Sequence, residues 1–256
     1  MSDFERCVDF VHGMTARAAT NTVPSPYGIA YLALDVPNVW SRNYLLATEN
    51  LADVTAEELE GEAERIMGAA GLGHRKVELV DAEVGDRLSD GFRKLGWNQE
   101  CDVIMVAARE PDRDVDTSLV EEVTVDDLVP AWTGGWTIDP AVDSDAVVRQ
   151  LVENKRALSK VVETRFFAAR VEGEVASYCE LYSDGSTAQI ENVLTLDRFR
   201  NRGLARATVS HARAEARGHD LIFLIADRDD WPKNLYAKLG FDEVGRIWEF
   251  VRPRAS

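Results

Sequence analysis

The chain has 256 residues and a formal net charge of -16, which excludes general binding to nucleic acid, because most of the surface repels a phosphate polyanion. An apolar share of 45% suffices for one large core or two small ones. No apolar run approaches the roughly 20 residues of a membrane-spanning helix. The N-terminus, MSDFERCVDF, carries acids where an export signal carries bases and then apolar residues, so a cytoplasmic protein is expected.

Taken in chain order, the first half contains YLLATEN (44–50), then NLADVTAEELEGEAER (50–65) with Thr55 and Glu58 spaced as a capping box at a helix start. HRKVELVD (74–81) follows, and GFRKLGWNQECDVIMVAAR (91–109) runs from a helix end into a strand. The stretch AREPDRDVDTSL (108–119) is polar and acidic and contains Pro111, which makes it the linker. We therefore expect one domain over 1–112 and a second over 117–256. Up to Asp116 there are 22 acids against 11 bases, and beyond it 23 against 18, so the acidity lies mostly in the first half.

The second half begins with a strand at VEEVTV (120–125) and a helical region from about Asp143 to Lys160. TRFFAARV (164–171) and EVASYCELY (174–182) form a hairpin turning at Glu172-Gly173, where glycine supplies a positive φ. AQIENVLTL (188–196) is a strand, DRFRNRG (197–203) a loop and LARATVSHARAEA (204–216) a helix. DLIFLIAD (220–227) is too short and too continuously apolar for most helices and reads as a buried strand. WPKNLYAKLG (231–240) is a short helix with Pro232 in its first turn, and EVGRIWEFVRP (243–253) is the closing strand. The fold class is α/β (α+β), with mixed sheets flanked by helices.

The two halves end alike. Lys94-Leu95-Gly96 and Lys238-Leu239-Gly240 lie 144 residues apart, each followed by a strand, which suggests two copies of one fold in tandem. Cys7, Cys101 and Cys179 are odd in number, far apart and not spaced with the four histidines as metal ligands, so reduced thiols and no metal site are expected.

The chemistry concentrates between Arg200 and Ala205. Arg200, Asn201, Arg202, Gly203, Leu204 and Ala205 join a strand to a helix, and six arginines fall between Arg198 and Arg217 against only Asp197 and Glu215. Unpaired N–H groups and partial positive charge at a helix start attract phosphate, while Gly203 and Ala205 leave room for its approach. Arg200, Arg202 and Arg206 can add charge-assisted contacts. The alternative is a solvated basic helix start.

R-x-x-G-x-A after a strand, then helix, strand and LYAKLGF, resembles the GNAT N-acetyltransferase superfamily over about residues 117–253. The resemblance implies that the loop amides from Arg200 through Arg206 hold the pyrophosphate of acetyl-CoA, and that the main chain of Val193, Leu194 and Thr195 pairs with the pantetheine arm. It implies that Tyr236 stands near the thioester sulfur and protonates the departing thiolate, the other reading being a core tyrosine. Glu191, on the same strand face as Val193 and Thr195, is the first choice for the base that deprotonates the amine. A structural glutamate is the other reading, and Glu180 is a second base candidate. The implied acceptor is a small-molecule or peptide amine, attacked directly in a ternary complex, with no metal. Cys179 has no activating histidine nearby in sequence. A non-catalytic acyl-CoA-binding regulatory or scaffold protein is the alternative function.

Two residues depart from the family pattern: Asp197 stands where proline is common and Asp229 where asparagine is. In the first half the corresponding helix start is acidic and self-capped, and Phe92 stands in the tyrosine position. That half is expected to be a degenerate copy that shapes or covers the active site or contributes an interface. Trp132 and Trp136, in PAWTGGWTIDP (130–140), either line the acceptor site or pack in the core. A homo-oligomer is compatible with the sequence but not indicated by it.

Overall fold

The computed structural model describes residues 1–136, 142 and 144–253. Residues 137–140 of the tryptophan segment and Asp143 lie outside the described residues. The chain forms two compact units: unit 1 comprises 1–7, 104–226 and 230–244, and unit 2 comprises 8–103, 227–229 and 245–256.

Unit 2 takes its first elements from the N-terminal half. Helix α1 (Asp3–Ala18) precedes strands β1 (Asn21–Ser25), β2 (Gly28–Leu32) and β3 (Tyr44–Ala47). Helix α2 (Ala56–Ala63), strand β4 (Arg75–Leu79), helix α3 (Ala82–Lys94) and strand β5 (Asn98–Ala107) follow. Strands β1 to β3 form an antiparallel meander, and β3 runs parallel to β4. The next strand is the last of the chain, β11 (Phe241–Arg252), antiparallel to β4 with Trp248 opposite Leu79 and Phe250 opposite Val77. One sheet face is apolar: Leu45, Val77, Trp248 and Phe250 share a core with Phe92 of α3 and Trp97. Phe92 is fully buried and stacks on Phe250 at 4.1 Å between ring centroids. Part of the remaining sheet is polar, with Glu78 bonded to His12 of α1 at 2.6 Å and Lys76 to Glu249 at 2.6 Å.

Unit 1 contains β6 (Val120–Val123), α4 (Val125–Trp136), α5 (Asp145–Leu158), β7 (Glu163–Val171) and β8 (Glu174–Ser183). It continues with β9 (Thr187–Thr195), α6 (Leu204–Glu215), β10 (Leu221–Asp227) and α7 (Pro232–Lys238). Its strand order runs β5, β10, β9, β8, β7, β6, mixed because β10 is parallel to β9 and the rest of the run from β9 outward is antiparallel. The β7–β8 turn has φ 55° at Glu172 and 83° at Gly173, the two-residue geometry that matches strand twist. Helix α4 forms despite Pro130, because Thr124 and Asp127 cap each other reciprocally at its start and Leu128, Ala131 and Trp132 bury one face.

The succession strand, helix, strand, helix, strand thus occurs twice, as β3-α2-β4-α3-β5 and β9-α6-β10-α7-β11. The closing strands are exchanged between the sequence halves: residues 245–252 complete the sheet of β4, while residues 104–107 of β5 lie in unit 1, where β5 neighbours β10. The mixed α/β fold class expected from the sequence is the one observed. All three cysteines are free and buried.

Candidate active site

The site begins where β9 gives out. A single 3-10 turn (Asp197–Phe199) leads to Arg200, which is extended, and Asn201, at φ 63°. Gly203 caps α6 at φ 79° and ψ 6°, with no side-chain cap hydrogen bond. A Cβ at Gly203 would meet nothing within 4 Å, so the glycine is required by its left-handed backbone rather than by crowding. The leading N–H groups of any α-helix lack intrahelical partners and carry its positive end. At α6 no side chain closes that end. The start of α2 is the opposite case, for Thr55 Oγ1 accepts from the Glu58 N–H while the Glu58 carboxylate accepts from the Thr55 N–H at 2.9 Å.

The loop arginines differ in their partners. Arg200 pairs with Asp197 at 2.8 Å and is well exposed, so the acid that departs from the family pattern does offset a neighbouring charge. Arg198 and Arg202 both lie over the ring of Phe199, at 4.9 and 5.4 Å, and Arg198 is also paired with Glu174. Arg206 is 7% exposed and donates to Asp112 at 2.6 Å. Its guanidinium ties the helix to the linker, a partner 94 residues away that its neighbours in sequence do not announce.

Next to this loop the sheet opens. The parallel pairing of β10 with β9 ends at Leu224 opposite Ile190, although β9 continues to Thr195. Asn192 has φ 53°, and the β8–β9 register shifts between Tyr178 and Glu180, so an extra residue bulges out of β9. Val193, Leu194 and Thr195, all partly buried, therefore lie beyond the last residue of β9 paired with β10. Such a stretch can accept a ligand's amides as if they belonged to another strand.

The titratable groups gather at the bulge. Glu180 and Glu191 are cross-strand partners, so their side chains share a face. Glu180 is fully buried and saturated: Lys155 Nζ donates at 2.9 Å, Asn192 Nδ2 at 2.5 Å, and the Tyr182 hydroxyl donates as well. Glu191 accepts from Gln189 Nε2 at 2.7 Å. Burial raises the Glu191 carboxyl above the ordinary carboxylate range; Lys155 opposes this and Glu180 adds to it. Tyr236, on α7, is 6% exposed, and burial, with Glu191 the next contributor, holds its phenol far above the usual value. The Cys179 thiol is also pushed up by burial and faces the Thr208 carbonyl, which makes it a packing group rather than a nucleophile.

The two tryptophan candidates pack against each other. Trp132 is fully buried and stacks on Trp136, which is partly buried, at 5.6 Å. His211 packs edge-on against Phe167. Sequence reading missed Lys155, Tyr182, Gln189 and Asn192; only Asn192 left a signal, being a residue that tolerates φ > 0 set inside a β-rich run. A separate cavity of about 340 Å³ in unit 2 is lined by Arg93, Gln99, Cys101, Arg228 and Trp248 among others, with three carboxylates; it contains none of the residues just described. Among the described residues no set of three or more His, Cys, Asp or Glu could hold a metal ion, and no helix is long and apolar enough to cross a membrane.

A mixed sheet whose strands part beside an uncapped, glycine-led helix defines unit 1 as an α/β domain. Residues 125–241 match the family described as "Acetyltransferase (GNAT) family". No curated protein sequence matches the chain. Among solved structures, a protein of unknown function from Staphylococcus epidermidis aligns over 91% of this chain and 93% of its own, with 13% identity and a TM-score of 0.68. A GCN5-related N-acetyltransferase from Kribbella flavida aligns over 97% and 95%, with 16% identity and a TM-score of 0.61. At these identities the likeness is one of fold, and it extends over both halves of the chain.

Proposed function

We propose that residues 117–256 are a catalytic acetyltransferase domain that moves an acetyl group from acetyl-CoA to a primary amine of a small molecule or peptide. Residues 1–112 would be a degenerate copy without a cofactor site, and the protein would work in the cytoplasm. The observation that carries this reading is the open start of α6 lying directly after a strand that has left its neighbour. The amides of Arg202, Gly203, Leu204 and Ala205 bind the pyrophosphate, with Arg200 and Asn201 at the mouth of the loop. The backbone of Val193, Leu194 and Thr195 pairs with the pantetheine arm, and Arg206 holds the helix start in place through Asp112.

The amine nitrogen attacks the thioester carbonyl carbon directly. Glu191, whose proton affinity burial raises, takes a proton from the amine. As the C–S bond breaks, the Tyr236 hydroxyl gives its proton to the sulfur, and the proton held by Glu191 restores the phenol. The net result is an amide and a free thiol. Alignment of the two substrates supplies much of the rate. A thiol-release screen across amines, with acetyl-CoA as donor, tests the proposal. Release with one acceptor class supports it; calorimetric binding of coenzyme A without release from any amine would leave a regulatory acyl-CoA-binding protein instead.

A further inference from the structure

We infer that Glu180 is a positioning residue: clamped by Lys155, Tyr182 and Asn192, it fixes the bulge of β9 and stands opposite Glu191. The inference rests on the proposed role of Glu191 as base. Its geometry is independent of that role. Glu180 sits opposite Glu191 in the antiparallel β8–β9 pair. Three donors from three elements reach its carboxylate: Lys155 from α5 at 2.9 Å, Asn192 from β9 at 2.5 Å, and Tyr182 from β8 itself. Lys155 is itself only 13% exposed in its side chain.

A fully buried carboxylate reached by three donors is fixed in place. Two consequences follow. Asn192 is the residue with φ 53°, so its hydrogen bond to Glu180 anchors the one backbone conformation that turns β9 away from β10. The clamp also keeps the Glu180 carboxyl beside Glu191, whose proton affinity it raises. Around Glu191 the titratable groups are Lys155 of α5, Glu180 of β8 and Tyr236 of α7. Lys155 lowers the proton affinity of Glu191 and Glu180 raises it, so removing each has an opposite effect.

The experiment is a carboxyl-carbon NMR titration of Glu191 in the full-length protein, assigned with Glu191→Gln, so that it needs neither an acceptor nor turnover. Glu180→Gln should move the Glu191 midpoint down by about one pH unit, and Lys155→Met should move it up by a similar amount. Calorimetry with coenzyme A on Asn192→Ala should show affinity weakened by tenfold or more as the bulge loses its anchor. Midpoints that stay fixed, or move the same way in both charge variants while the amide spectrum remains native, overturn the inference. Should Glu180→Gln fail to fold, the Lys155→Met and Asn192→Ala results decide the matter. If instead the midpoints move as stated but Glu191→Gln retains full thiol release, the failure belongs to the proposed base and not to Glu180.

Discussion

Helices α2 and α6 occupy the same place in the two repeats of strand, helix, strand, helix, strand, yet their first turns are opposites. At α2 the chain satisfies its own N–H groups with Thr55 and Glu58 and adds Glu57 to the same turn. At α6 there is a left-handed glycine, no cap and no acid in the first turn. The second repeat carries Tyr236 on its following helix, buried at 6% exposure, where the first carries Phe92, stacked into an apolar core. One architecture can leave a helix start open or close it with its own side chains, and the choice rests on a few residues.

The comparison breaks most sharply at the hydroxyl. Tyr236→Phe makes the second repeat resemble the first at that position, and thiol release with the best amine should fall by roughly 10²- to 10⁴-fold while coenzyme A binding by calorimetry is unchanged. Closing the open helix comes next. Gly203→Val forces a β-branched residue into φ 79°, a strain of order 1 to 3 kcal/mol, and coenzyme A affinity should drop about tenfold or more as the loop rearranges.

A pH profile sharpens the contrast from the side of unit 2. Asp102 is pushed up to about 8 by burial, then by Glu249 and Glu100, and His74 is lowered to about 4, chiefly by burial. The raised Asp102 contributes stability that is fully present below its unfolded value near 3.8 and lost as pH rises toward 8. The depressed His74 contributes stability present above 6.5 and lost as pH falls toward 4. The two slopes oppose each other at acid pH and leave Asp102 alone above it. Thermal melts should therefore weaken from about pH 6.5 to 8, and Asp102→Asn should flatten that decline. Smallest of all, Thr55→Ala should destabilise unit 2 by about 1 kcal/mol without creating affinity for coenzyme A, because the acids of α2 remain.

Much of this site was legible because its signals are local. A glycine directly after an arginine-rich turn, a strand before it and a helix after it need no knowledge of what lies far away in sequence. The hairpin at Glu172-Gly173 and the capping box at Thr55 are local in the same way. Where the account depends on long-range geometry, the sequence is mute. Nothing in β11 says that it pairs with β4, since alternating side chains suit any sheet edge. Nor does anything beside Arg206 point to Asp112, or beside Lys155 to Glu180. Helix α4 was obscured by Pro130, whose local meaning is a break and whose effect here is outweighed by a good cap and a buried face.

The central claim is that the uncapped start of α6 grips a diphosphate. A crystal structure of the full chain with coenzyme A tests it most directly. The account predicts pyrophosphate oxygens within hydrogen-bond distance of the main-chain N–H groups of residues 202 to 205, with the arm running along Val193 to Thr195. Coenzyme found lodged elsewhere, with that turn left to solvent, would contradict it.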